Sequence, residues 1–363
     1  MPGLPTPAAV AAAAGNLLGA TVRGGLADMR RMPATAIDRG PQRTVSRYEP
    51  EGRRRGVAPV LLVPPLAAPA TCFDLRRGCS LAEHLVQGGR RTYLLDYGRI
   101  EFADRSLGIE HWVHDVIPTA LRAVSEDAGG RDVRIVGWCL GGIMALLAHA
   151  ANTELPVRSI ALVASPWDVR KVPLVAPLRP IDAMTRGWLV TQLYHALGGA
   201  PAPLVRRGYQ LAGFDKYVMK PWTVLSHLDD RDLLAQIEAV DAFMGAMHAY
   251  PGRTFGQLYH RMLRTNDLAD GRLELGGQDI DVADATAPLL SIAGLGDGIA
   301  PVAACHHLGD LAGGVRLETA PGGHLGVLTG RAARGTTWRM LDAWLDHGPR
   351  GRAAGLVAGR TAA

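Results

Sequence analysis

Val133-Arg-Ile-Val-Gly-Trp-Cys-Leu-Gly-Gly-Ile-Met-Ala-Leu146 runs from a short apolar, β-branched stretch through Gly137-Trp138-Cys139-Leu140-Gly141 into a sequence with helical character. This is the pattern of a sharp strand-to-helix turn that presents a nucleophile, with cysteine where serine is usual. Such a turn brings neighbouring backbone so close that glycine is needed on both sides, and Gly137 and Gly141 supply the room. The helix that follows points its N-terminus at the site, which favours a thiolate and the oxyanion formed on acyl attack. The backbone N–H of Leu140 is the expected first oxyanion donor.

A nucleophile placed this way calls for an acid and then a histidine, in that chain order, each on a loop after a later strand. Asp297, in Ala293-Gly-Leu-Gly-Asp-Gly-Ile-Ala-Pro301, and His324, in Pro321-Gly-Gly-His-Leu-Gly326, meet both conditions. His324 is expected to take a proton from the thiol or from an incoming hydroxyl, and Asp297 to fix its tautomer and stabilise the imidazolium.

Around this segment lie further short runs rich in Val, Leu and Ile: 59–63, 92–96, 159–164, 289–293 and 315–319. Near-continuous apolar strands separated by helical patterns predict an α/β protein with a mostly parallel sheet covered on both faces. The interval from Ser165 to Thr286 is too long for a plain crossover and predicts an inserted helical cap. The expected organisation is an N-terminal helical arm (1–42), a first part of the core (43–164), the cap (165–286), a second part of the core (287–347) and a flexible tail (348–363). The run Ala8 to Ala20 is small and apolar, yet no basic segment precedes it and it is too short to cross a bilayer, so it reads as part of the arm.

The chain has 363 residues, 48% of them hydrophobic and 20% charged, which excludes disordered and fibrous classes and predicts a globular protein. A net charge of +5 is too small a surplus to call for nucleic acid, and Arg30-Arg31 and Arg53-Arg-Arg55 read as solvated surface. The four cysteines, Cys72, Cys79, Cys139 and Cys305, lack paired spacing, so neither a disulfide framework nor a zinc ribbon is indicated. His306-His307 beside Cys305 has no further ligand at zinc spacing, and no metal or other cofactor is expected. In the cap, Trp188, Leu193, Tyr194, Trp222, Leu225, Phe243 and Met247 are candidates either for lining an acyl channel or for core packing.

These motifs together resemble the polyhydroxyalkanoate synthases, in particular the short catalytic subunits that act with a second subunit. The resemblance runs from about Pro59 to Leu345. It is carried by the cysteine elbow Gly137 to Gly142, by Val63-Pro-Pro-Leu66 with Asp74-Leu75, by Leu95-Asp-Tyr-Gly98 with Ala103-Asp-Arg105, by His111-Trp112, by Pro301, and by Gly322-Gly-His-Leu-Gly326. It implies an α/β-hydrolase fold with a cap, and transfer of 3-hydroxyacyl groups from coenzyme A thioesters to a polyester chain through an acyl-cysteine. It also implies a second synthase subunit or a homodimer, a cytoplasmic location, and association with a lipid or polyester granule surface. Where the family carries a polar Asn soon after the Pro-Pro pair, this chain has Ala68; a backbone N–H of Leu66 or Ala67 is the expected second oxyanion donor. A cysteine thioesterase or ester hydrolase on the same scaffold, and an inactive acyl-binding relative, remain as alternatives.

Overall fold

The computed structural model describes residues 6–22, 24–48, 57–176, 184–212 and 214–350. The expected tail beyond 350 and Arg53 to Arg55 lie outside them. Eight strands form the main sheet: β1 (Ala34–Gly40), β2 (Arg43–Tyr48), β3 (Val60–Val63), β4 (Thr92–Asp96), β5 (Val133–Trp138), β6 (Val157–Val163), β7 (Leu289–Gly294) and β8 (Arg316–Ala320). Their spatial order is β1-β2-β4-β3-β5-β6-β7-β8. From β4 through β3 to β8 every pairing is parallel, whereas β2 runs antiparallel to both its neighbours. The central strands are buried on both faces, Leu61, Leu62, Ile135, Val136, Leu162 and Ile292 among them, which is why their sequences are continuous apolar runs.

The β1–β2 hairpin corrects the expected N-terminal boundary. The helix of the arm spans Pro7–Val22, and the sheet begins at Ala34 rather than at residue 43. Its residues, Ala34-Thr-Ala-Ile-Asp-Arg-Gly40 and Arg43-Thr-Val-Ser-Arg-Tyr48, are mostly polar or half-exposed because they form the sheet's edge. An edge position leaves no apolar run to read.

The cap contains the helices Trp188–Leu197, Ala202–Ala212, Phe214–Ser226 and Arg231–Gly245. Against the expectation of a helical insertion, the segment also holds two short β-ribbons. Gly199–Ala200 pairs with Tyr250–Pro251, and Arg272–Leu275 pairs with Gln278–Asp281 across Gly276-Gly277, both at positive φ. The second ribbon belongs with the sheet body: Leu273, Leu275 and Ile280 are buried in the main core, and Gln278 donates to the carbonyl of Ala151.

The cap is tied down through the helix Arg231–Gly245. Asp232 pairs with Arg76, Arg331 and Arg334, Asp230 with Arg331, and Gln236 donates to the carbonyl of Thr329. Glu238 accepts the amides of Leu26 and Ala27, so the N-terminal segment straps the same helix. The parallel strands all end at one edge of the sheet. The loops beginning at residues 64, 97, 139, 164, 295 and 321 gather there under the cap, the place where open α/β sheets build their sites.

Candidate active site

Cys139 joins β5 to the helix Leu140–Ala151 with φ 53° and ψ −127°, a conformation strained for a residue with a side chain. Crowding enforces it. A Cβ on Gly137 would overlap Gly142, and one on Gly141 would lie 2.6 Å from the carbonyl carbon of Pro64 and closer still to the oxygens of Val63 and Pro64. Gly142 is equally constrained, because its Cβ would meet the hydroxyl oxygen of Ser165. That Ser165 side chain, fully buried just after β6, donates to the carbonyl oxygen of Cys139 at 2.7 Å. The amides of Gly142 and Ile143 reach the same oxygen at 3.1 and 3.4 Å. The turn is therefore held from two directions.

Asp297 and His324, each just beyond the end of its strand, meet: His324 Nδ1–H donates to Asp297 Oδ2 at 2.8 Å. The other carboxylate oxygen accepts the amides of Ile299 and Ala300 at 2.8 and 2.9 Å. Burial pushes the Asp297 carboxyl up, but His324 and these two amides outweigh it and hold it below the usual carboxylate range. For His324, burial works against the charged ring. The negative charge of Cys139 and the bond to Asp297 overcome it and raise the imidazolium to about 10. His324 Nε2 is buried with no hydrogen-bond partner of its own, and Cys139 is the strongest influence raising the ring. The geometry suits an imidazole that receives a proton at Nε2 while Asp297 fixes Nδ1.

Trp138, large for a position beside the nucleophile, supports this histidine. Its indole Nε1–H donates to the His324 carbonyl at 3.1 Å, and the two rings pack with centroids 5.1 Å apart. The other side of the indole faces Phe243 of the cap at 6.3 Å. Neither Ser165 nor this use of Trp138 emerged from the sequence. Only their positions beside strand ends, at the close of β5 and just after β6, hinted at a role.

The loop after β3 lies against the start of the helix Leu140–Ala151, since Val63 and Pro64 crowd Gly141. Leu140 occupies the first helical position, where N–H groups have no partner within the helix. Pro64 and Pro65 have no N–H, so Leu66 offers the first amide of the facing loop. Leu66 and Ala67 are both buried. Ala67 sits at φ 62°, and its carbonyl accepts the amide of His248 from the cap at 2.8 Å.

Two cavities lie in and beside the cap, and neither is lined by Cys139, Asp297 or His324. One of about 870 Å³ lies among the cap helices, lined by Arg206, Tyr209, Met219, Lys220 and Met244. The other, about 750 Å³, lies beside the loops after β3 and β4, lined by Arg31, Asp96, Arg99, Phe243, Met247 and His248. Of the cap's candidate apolar residues, Phe243 and Met247 face this second cavity, Tyr194 is buried, and Trp188, Leu193, Trp222 and Leu225 are at the surface.

Cys305, His306 and His307 are engaged elsewhere. The thiol of Cys305 donates to the carbonyl of Ala300, and the histidines bond to the carbonyls of Glu318 and Ala269. Among the described residues no group of His, Cys, Asp and Glu converges as a metal site would. Among them, too, no helix is long and apolar enough to cross a membrane.

No family model matches the chain. It is 26% identical over 325 residues to the poly(3-hydroxyalkanoate) polymerase subunit PhaC of Allochromatium vinosum, covering 87% of this chain and 88% of that protein. The PhaC subunit of Thiocystis violacea is 24% identical over 324 residues, with 87% and 88% covered. Among solved structures, an esterase from a Rhodococcus species has a TM-score of 0.51 at 14% identity, covering 88% of this chain and 98% of its own. A meta-cleavage product hydrolase from Pseudomonas fluorescens has a TM-score of 0.50 at 14% identity, with 87% and 98% covered. With the strand order above, these structures place the chain on the α/β-hydrolase fold.

Proposed function

We propose that this chain, similar to poly(3-hydroxyalkanoate) polymerase subunits across 87% of its length, is an acyltransferase that builds polyester from 3-hydroxyacyl-coenzyme A through an acyl thioester on Cys139. The observation that carries the reading is a cysteine, not a serine, at the elbow, beside a histidine bonded to a buried aspartate. When a thiolate attacks an acyl-coenzyme A, one thioester replaces another at nearly equal free energy. The acyl group therefore stays activated for a later acceptor, whereas an ester on serine would lose that activation.

On this reading the reaction runs in two halves. The sulfur of Cys139 forms a bond to the thioester carbonyl carbon, and the negative oxygen of the tetrahedral intermediate is held by the Leu140 amide with that of Leu66 or Ala67. The carbon–sulfur bond to coenzyme A breaks, and the departing thiolate takes the proton from His324 Nε2. A hydroxyl at the end of the growing chain then gives its proton to His324 as its oxygen attacks the acyl-cysteine. Collapse of that intermediate releases the thiolate of Cys139 and leaves the chain one ester longer. Asp297 keeps Nδ1 protonated throughout. No metal or organic cofactor takes part on this reading; coenzyme A arrives as part of the substrate. The acceptor chain would lie at a polyester granule in the cytoplasm, with a second synthase subunit or a second copy as partner.

The test is to supply 3-hydroxybutyryl-coenzyme A, follow release of free coenzyme A, and weigh the acyl products. Oligomeric esters from the wild type, and none from Cys139→Ala, are expected. Free 3-hydroxybutyrate as the sole product would make the chain a thioesterase and overturn the reading.

A further inference from the structure

The end of the sheet far from Cys139 carries a polar cavity of about 800 Å³ where β5, β6 and β7 begin. With a rise of about 3.3 Å per strand residue, Arg134 in its wall lies about 16 Å from the nucleophile along β5. Val133 pairs with Val157 but Arg134 pairs with Ser159, so β6 carries Arg158 as the extra residue of a bulge. The bulge sets Arg158 and Ser159 together beside Arg134, and all three line the cavity. Arg134 is half-buried and Arg158 exposed. Among the described residues neither guanidinium makes a hydrogen bond or an ion pair. The hydroxyl of Ser159, a residue only 3% exposed, likewise has no partner among them.

Two like charges side by side and a buried hydroxyl without a partner both cost free energy, which an anion with several oxygens offsets. Burial and the charge of Arg158 push the Arg134 guanidinium below its ordinary range, against the pull of Asp346. That carboxylate is already bonded to Arg90 at 2.8 Å, and Asp132, the other carboxylate of the wall, is exposed. A guanidinium fork matches two oxygens of a phosphate, and the hydroxyl of Ser159 can donate to a third. The cavity is too large for a phosphate alone. No Phe, Tyr or Trp lines it for a nucleobase to stack on, while Thr286, Asp132 and His347 offer polar partners to the hydroxyls of a sugar. We infer that this cavity binds a small phosphomonoester of sugar-like body, its phosphate held by Arg134, Arg158 and Ser159. The site is separate from that of Cys139 and does not depend on the reaction assigned there.

The experiment is calorimetric titration of the full chain with ribose 5-phosphate and, separately, with inorganic phosphate, at constant ionic strength. Ribose 5-phosphate is expected to bind the wild type and the Cys139→Ala protein alike, and inorganic phosphate more weakly. Arg134→Gln and Arg158→Gln each weaken ribose 5-phosphate about tenfold or more, as loss of a charged hydrogen-bond donor implies, and Ser159→Ala weakens it severalfold. Arg30→Gln is the control for general attraction by positive charge: it removes an exposed arginine paired with Asp28 and keeps the wild-type affinity. Should Arg134→Gln fail to fold, Arg158→Gln, at an exposed position, decides the matter. No binding of ribose 5-phosphate by the wild type at millimolar concentration, equal affinity for inorganic phosphate, undiminished binding in Arg158→Gln, or an equal fall in Arg30→Gln overturns the inference, and each leaves the acyl-transfer reading of Cys139 untouched.

Discussion

Gly141→Ala places one methyl group where the structure leaves none. The new carbon would sit 2.6 Å from the carbonyl carbon of Pro64, whereas ordinary van der Waals contact begins at 3.4 Å. Backbone on both sides must separate by most of an ångström, because neither neighbour is a side chain that can swing away. Overpacking of this kind costs about 1–3 kcal/mol. The loop that yields carries Leu66 and Ala67, and the turn that yields carries Cys139, so the reacting sulfur and its amide donors move apart. A displacement of about 1 Å in such a site costs about 100-fold in rate. Release of coenzyme A at saturating substrate, paired with a thermal unfolding curve, reads both effects. Gly15→Ala is the reference, since its Cβ meets nothing within 4 Å. Activity within threefold of the wild type and an unchanged unfolding midpoint for Gly141→Ala would refute the claim that close backbone contact builds this turn.

Two further substitutions probe the same site. Ser165→Ala removes the 2.7 Å bond to the Cys139 carbonyl while the amides of Gly142 and Ile143 remain; a loss of about 1 kcal/mol in stability and a severalfold fall in kcat are expected, and denaturant titration with initial rates checks both. Cys139→Ala deletes the strongest influence raising His324, while burial, which lowers it, stays. The ring should then lose its proton below the wild-type value of about 10, as NMR titration of the His324 imidazole would show; an unchanged titration would mean that Asp297 alone sets the charge.

The central strands could be read from the sequence because burial on both faces demands runs such as Val60-Leu-Leu-Val63. The β1–β2 hairpin could not: β1 is the sheet's outermost strand, β2 lies next to it, and both are only partly buried, so they admit Asp38, Arg39, Arg43 and Arg47. Gly276-Gly277 was a turn signal within reach, hidden by the expectation that the insertion was helical throughout. Asp297 and His324 were nameable because each follows an apolar strand in the chain order that a nucleophile elbow sets. The supporting contacts were not. Ser165 and Trp138 act across elements far apart in the chain, and nothing in their local sequence states which neighbours the fold will give them. The cap aromatics misled for the same reason: Trp188 and Trp222 have the composition of a channel wall but lie at the surface.

The strapping of the helix Arg231–Gly245 divides the cap mechanically. With Asp230, Asp232, Gln236 and Glu238 all fastened outside the cap, this helix travels with the sheet as one rigid frame. Phe243, which it carries, is thereby a fixed doorpost against Trp138.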